Sequence, residues 1–197
     1  MEVTRTFDLL DRYINRFGNK EVALAGKKNG TWITYSPREY ERLVNEMSYG
    51  LLALGISGGD KVATISNNKP EWNFVDMALA QIGAVHVPIY PTISEEEYDY
   101  ILNHSDSRLL IVSGKTILAK VKNIAEASPA IEGIYSFDEL DEVENYKAIL
   151  ELGRQKADEF QNKLQEIKQS IDAYDLVTII YTSGTTGKPK GVMLSHY

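Results

Sequence analysis

Residues Lys61–Ile89 read KVATISNNKPEWNFVDMALAQIGAVHVPI. The piece Lys61–Ser66 is short, apolar and rich in β-branched side chains, which predicts a buried strand. A helix is expected around Pro70–Ile82 and a second strand over Ala84–Ile89. Strand, helix and strand joined by short connections favour parallel strands with the helix packed on one face of the sheet.

The same alternation continues in both directions. Downstream, Ser94 and Glu97 have capping-box spacing, so a helix should run to about Asn103, followed by a strand over Arg108–Val112. Upstream, Ser36, Pro37 and Glu39 place a capping hydroxyl, a proline suited to the first helical position and a carboxylate three residues after the cap. That helix should reach about Leu54 and end at Gly55, Gly58 and Gly59. Val22–Ala25 and Trp32–Tyr35 flank Lys27, Lys28, Asn29 and Gly30, a turn composition, and read as a hairpin. Phe7, Leu10, Ile14 and Phe17 recur at helical spacing, which argues an amphipathic first helix stopping at Gly18. The fold class is α/β, a mostly parallel sheet with flanking helices.

From Glu142 onward the pattern changes. Val143, Tyr146, Leu150, Gly153, Ala157, Phe160, Leu164, Ile167 and Ile171 follow alternating steps of 3 and 4, which predicts a helical segment over 142–170. Gly153 interrupts the stripe and Ala157 is small, so a helix pair packing on its own domain is preferred to a coiled-coil partner helix. The acidic residues between Asp138 and Glu144 read as a solvated face or loop.

Composition narrows the chemistry. The 197 residues carry 21 Lys and Arg against 28 Asp and Glu, a net charge of −7, so wholesale electrostatic binding to nucleic acid is excluded and any anion site must be made locally. There is no cysteine, which removes disulfides, thiolate-bound zinc and thiol catalysis. No apolar run approaches the roughly 20 residues of a membrane span, and the first residues lack a signal peptide's apolar stretch. A cytoplasmic protein is the expectation. No basic amphipathic helix is evident, so peripheral membrane contact would have to come from elsewhere.

The local anion site falls near the C-terminal end of the sequence. Leu176–Tyr181 (LVTIIY) delivers the chain into Thr182, Ser183, Gly184, Thr185, Thr186, Gly187, Lys188, Pro189, Lys190 and Gly191, and then into the apolar piece Val192–Leu194. Gly184, Gly187 and Gly191 permit positive φ and close backbone approach, so successive amides can turn toward one anion. Thr182, Ser183, Thr185 and Thr186 supply hydroxyl donors, and Lys188 and Lys190 supply charge. The spacing is not that of a Walker A loop, because two residues separate Gly184 from Gly187 and Pro189 follows the lysine. Proline also disfavours α geometry at Lys188, so no helix N-terminus can begin there to receive a phosphate. A plain Gly/Thr hairpin between two strands is the alternative that these residues leave open.

TSGTTGKPKG, preceded by DLVTIIY and followed by VMLSH, closely resembles the phosphate-loop signature of the AMP-forming acyl-adenylating superfamily, which includes acyl-CoA synthetases, luciferases and peptide-synthetase adenylation domains. Asn68, Lys69, Pro70, Glu71 and Trp72 resemble the Asn-Arg-Pro-Glu-Trp segment of long-chain fatty-acyl-CoA synthetases, with lysine in place of arginine. Pro88–Ser94 (PIYPTIS) resembles their following strand and turn, and the helical stretch before the loop strand is similar to that branch as well.

The resemblance implies residues 1–197 to be an N-terminal part of the large AMP-binding domain of the acyl-adenylate-forming (ANL) fold, with the C-terminal domain absent. It implies an ATP-dependent fatty-acid CoA ligase. The carboxylate attacks the α-phosphate of ATP, pyrophosphate leaves, and the thiol of coenzyme A takes the acyl group with release of AMP. ATP, Mg²⁺ and coenzyme A are the implied cofactors, the last two needing parts of the family's chain beyond these residues. Carried over by position, Thr182, Ser183, Gly184, Thr185, Thr186, Gly187 and Lys188 would wrap the β- and γ-phosphates, with Lys190 as a nearby cation. No catalytic residue and no metal ligand is expected here, and this stretch alone is expected to be inactive. Ligation of another carboxylic acid, and a truncated nucleotide-binding or oligomerisation module, are the alternatives; a homo-oligomer is left open.

Other residues carry weaker readings. His86, between Val85 and Val87, is expected to be structural and hydrogen-bonded, and His104 to sit at a helix end. His196 is expected either to line the substrate side of the loop or to start a helix. Trp72 reads as a packing residue and Glu95, Glu96 and Glu97 as helix N-terminal charge.

Overall fold

A computed structural model describes residues 3–182 and 187–197. Helix α1 (Asp8–Phe17) leads to an antiparallel hairpin of β1 (Leu24–Lys28) and β2 (Thr31–Tyr35). The turn is shorter than the composition implies. Lys27 and Lys28 pair with Trp32 and Thr31 in the ladder, and only Asn29 and Gly30 form the bend, with φ of 50° and 83°. Positive φ at both central residues is what a two-residue hairpin needs to match strand twist.

Helix α2 (Pro37–Ala53) starts as the spacing predicts. The Ser36 hydroxyl accepts from the Glu39 backbone N–H while the Glu39 carboxylate accepts from the Ser36 N–H at 2.8 Å. The alternation follows as β3 (Lys61–Ile65), α3 (Pro70–Gln81), β4 (Val85–Ile89), α4 (Glu95–Ser105) and β5 (Ser107–Val112). Next come α5 (Lys115–Ala127) and β6 (Gly133–Ser136), which the sequence pattern leaves unassigned, and β7 (Glu144–Asn145). The chain then forms α6 (Lys147–Gln155), α7 (Ala157–Ser170), β8 (Leu176–Thr182) and β9 (Lys190–Ser195).

Seven strands make the main sheet in the order β7-β6-β5-β3-β4-β8-β9. Every described pairing in it is parallel except β8 with β9. Both faces are covered, and the strands divide their side chains accordingly. Val62, Leu109 and Ile111 point into a core shared with α2, α3, α6 and α7, whereas Ala63, Ile65, Leu110 and Val112 point into a second core with α4 and α5. This is why VATI and LLIV read as continuous apolar runs rather than alternating ones. The chain places β4 on one side of β3 and β5 on the other, so a topological switch lies between β3 and β5 at their carboxyl ends.

The heptad stripe covers this domain itself. Of its residues, Tyr146, Leu150, Phe160 and Leu164 belong to the α2/α3 core. The helical segment does not start at residue 142: Glu144 and Asn145 form β7, and α6 begins at Lys147. Gly153 is a contact rather than a defect. A Cβ there would lie 1.8 Å from the Glu46 carbonyl oxygen, and one at Gly50 would lie 2.0 Å from the Ile149 oxygen, so α2 and α6 touch backbone to backbone. Glu46, nearly buried, accepts from Arg42 at 2.8 Å and from Arg154 at 3.2 Å across the same seam. Gly153→Ala should therefore force the helices apart and lower unfolding free energy by about 1–3 kcal/mol in urea denaturation; an unchanged midpoint would show the seam to be slack.

Candidate functional site

The Thr/Gly/Lys-rich stretch joins β8 to β9. Their ladder runs out to Thr182 paired with Lys190, so residues 183–189 form the connection. Ser183, Gly184, Thr185 and Thr186 lie outside the described residues. Thr182, Lys188 and Lys190 are exposed, and Gly187 has φ of 115°, a value that suits glycine. Because β8 runs parallel to β4, the connection sits on the edge of the sheet where the carboxyl ends of β3, β4 and β5 also lie. The chain leaves the connection as a strand, so a phosphate here would meet backbone amides, hydroxyls and lysine rather than a helix N-terminus. Beside it, a cavity of about 270 Å³ is lined by Ile89, Tyr90, Ile93, Tyr181, Thr182 and Pro189.

A buried polar chain fixes the strands beneath this edge. The His86 ring is 1% exposed; its Nδ1 lies 2.7 Å from Asp76 Oδ1 and its Nε2 2.8 Å from Thr64 Oγ1, while the Trp72 indole N–H donates to the same Thr64 oxygen at 3.0 Å. One proton arrangement satisfies every member: Trp72 donates to Thr64, Thr64 to Nε2, and Nδ1–H to Asp76. Thr64 is fully buried, so although Asp, His and Thr are in line, the hydroxyl has no access to a substrate. His86 and Trp72 thus hold α3 to the sheet. The Asn68–Trp72 stretch and its neighbours tie the end of the sheet in the same way. Lys69 is ion-paired with Asp138 across that end, and the Asn67 N–H donates to Ser113 Oγ at 2.9 Å. Asp138, grouped by composition with a solvated acidic face, is a partner in that link.

Residues 10–197 match the family described as AMP-binding enzyme. The chain belongs to the AMP-binding enzyme family. Fatty acyl-CoA synthetase A of Dictyostelium discoideum is 34% identical over 208 residues, covering 98% of this chain and 30% of that protein. Long-chain-fatty-acid–CoA ligase ACSBG2 of Xenopus laevis is 31% identical over 193 residues, covering 95% of this chain and 26% of that protein. The chain thus spans less than a third of the length of these relatives. Among solved structures, the anthranilate CoA ligase AuaEII in complex with anthranoyl-AMP superposes with a TM-score of 0.75 at 22% identity, over 100% of this chain and 36% of that one. The chain shares its fold with that part of the ligase.

Two residues near the β8–β9 connection make contacts that the sequence expectations do not include. Tyr181 is buried at the end of β8, where burial raises its phenol pKa and keeps it protonated, and its hydroxyl lies 2.7 Å from His104 Nδ1. Tyr100, one turn before His104 on α4, stacks on that imidazole. The available signal is two aromatic rings four residues apart on a helix whose partner strand ends in tyrosine. Glu97 acts as expected for helix-start charge, accepting from the Ser94 N–H at 2.9 Å.

One expectation changes: His196 does not line the substrate side of the loop. It follows β9 at the end opposite the loop, about 20 Å away at strand rise. Its ring packs edge-on against Phe7 at 5.5 Å, and both ring nitrogens are buried without a partner. Among the described residues, no group of three His, Asp or Glu side chains converges on a metal position. Among the same residues, no helix is long and apolar enough to cross a membrane.

Burial lowers the His196 pKa below 6.5, with Asp175 and Asp8 opposing the shift and Arg5 adding to it. The unfolded chain therefore binds a proton that the folded chain refuses. This stability contribution is complete above the unfolded value and is lost as pH falls from 6.5 toward the depressed folded value. Asp8 is a separate case: burial raises its pKa, but hydrogen bonds from Arg5 and Thr4 outweigh that and leave it below 3.8, so its contribution is lost only at much lower pH. His196→Phe should lose less stability than the parent between pH 7.5 and 5.5 in chemical denaturation. Equal losses in the two proteins would contradict the buried, unprotonated imidazole.

Proposed function

We propose that this chain supplies the phosphate-gripping part of a long-chain fatty-acid CoA ligase, an enzyme that forms an acyl-adenylate from a fatty acid and ATP and passes the acyl group to coenzyme A. The observation that carries the reading is the TSGTTGKPKG stretch, positioned as the β8–β9 connection on the carboxyl edge of a parallel sheet. The kinship with fatty-acyl and long-chain-fatty-acid CoA ligases at 31–34% identity favours a fatty acid over other carboxylic acids.

When the carboxylate attacks the α-phosphate, negative charge builds on the departing pyrophosphate. Groups already aimed at that charge lower the barrier, because they need no reorganisation at the moment of reaction. In this proposal the amides of residues 182–188 and the hydroxyls of Thr182, Ser183, Thr185 and Thr186 donate to the β- and γ-phosphates, and Lys188 and Lys190 offset their charge. Pro189 biases the Lys188 backbone toward extended geometry. Fatty acid, ATP and coenzyme A are the proposed partners, with magnesium supplying charge neutralisation on the phosphates.

In the full-length protein, Lys188→Ala should reduce kcat/KM for ATP in pyrophosphate exchange about 10–100-fold, the loss of a charge-assisted hydrogen bond of about 1.5–3 kcal/mol. Thr185→Ala should also weaken ATP use, by a smaller factor. Unchanged kinetics in both variants would overturn the assignment.

A further inference from the structure

Tyr100 and His104 lie one turn apart on the same face of α4, and between them they touch the chain on both sides of the loop. On the entry side, His104 Nδ1 is 2.7 Å from the hydroxyl of Tyr181, the residue immediately before Thr182, with the two rings edge-on at 5.8 Å and 89°. On the exit side, the Lys188 ammonium lies 5.1 Å from the centroid of the Tyr100 ring. Tyr100 and His104 are themselves stacked, with centroids 5.1 Å apart and planes at 29°. A continuous path of contacts therefore runs from the last buried residue of β8, through two rings of α4, to the lysine that leaves the loop.

The helix that carries these rings is well anchored. Its first turn is closed by the Ser94–Glu97 capping box, and Tyr98, Ile101 and Leu102 are buried in the second core. The Tyr98 hydroxyl donates to the Tyr90 carbonyl, and Asn103 accepts from the Ser128 hydroxyl at 2.9 Å. Between α4 and residues 187–189 lies an open groove of about 900 Å³, so Lys188 has room to leave the ring. A lysine over a tyrosine face is held more weakly than one hydrogen-bonded to a phosphate oxygen.

We propose that Tyr100 and His104 are positioning residues for the β8–β9 loop: His104 fixes its entry through Tyr181, and Tyr100 parks the Lys188 ammonium until a phosphate takes it. This rests on the loop being a phosphate site, and it adds residues from a helix outside the loop's own sequence. The ring holds the lysine near its working position, so less ordering remains to be done when nucleotide arrives.

Two measurements test it separately. In the 197-residue chain with ¹³C-dimethylated lysines, the Lys188 resonance, assigned by its disappearance in Lys188→Arg, should be shifted by the Tyr100 ring current. The shift should vanish in Tyr100→Leu and persist in Tyr100→Phe. The same Lys188 position in the parent and in Tyr100→Leu would overturn the proposal, whatever the loop binds. In the full-length protein, Tyr100→Leu should raise KM for ATP about two- to fivefold, with kcat and the fatty-acid KM nearly unchanged, and Tyr100→Phe should restore it. An ATP KM that Tyr100→Leu leaves unchanged would also overturn it. A ring-shifted Lys188 in a protein that exchanges pyrophosphate with no acid would leave the positioning role standing and remove the nucleotide reading.

Discussion

Strand β8 carries the loop, and its hold on the rest of the sheet is concentrated at His86. Thr178 pairs with His86 in the parallel ladder, and the Thr178 hydroxyl donates to the His86 carbonyl at 2.9 Å. The ring of the same histidine is tied to β3 through Thr64 and to α3 through Asp76. One residue therefore links the loop's strand, the central strand and the helix that begins with Pro70. A buried chain of this kind is stiff when complete and costly when broken, since each orphaned partner is left without water. This docking ties β8, the strand that leads into the β8–β9 connection, to the rest of the sheet.

The sheet then decides where chemistry can occur. Parallel strands bring their carboxyl ends to one edge, and side chains that follow those ends converge there. At the switch between β3 and β5, the converging groups are spent on each other: Asn67 on Ser113, and Lys69 on Asp138. Two strands away, the edge carries the exposed Thr182, Lys188 and Lys190 instead. That division gives the Asn68–Trp72 stretch to holding the sheet together and leaves Thr182, Lys188 and Lys190 exposed, as the proposed phosphate binding requires.

Much of this is legible in the sequence because the deciding signals are local. Ser36 with Glu39 and Ser94 with Glu97 mark helix starts through bonds made within three residues, and the runs VATIS and LLIV mark strands buried on both faces. What escapes is set by distant partners. Helix α5 begins at Gly114, with φ of 131° and no side-chain cap, so it has no start signal to read. Strands β6 and β7 are four and two residues long; β6 exists because β5 offers an edge to pair with, and β7 because β6 does. Gly153 reads as a break in a stripe until the Glu46 carbonyl beneath it is seen. At the proposed site, the glycines, hydroxyls and lysines are the sequence signal on which the anion reading rests. The grip of His104 on Tyr181 spans 77 residues and has no mark in either segment alone. His196 misleads for a related reason: nearness in sequence to the loop is distance in space when a strand intervenes.

The most direct measurement is a crystal structure of the full-length protein with a non-hydrolysable ATP analogue. The account predicts β- and γ-phosphate oxygens within hydrogen-bonding distance of the amides and side chains of residues 182–190. Phosphates seated anywhere else, for instance at the carboxyl ends of β3 and β5, would contradict it.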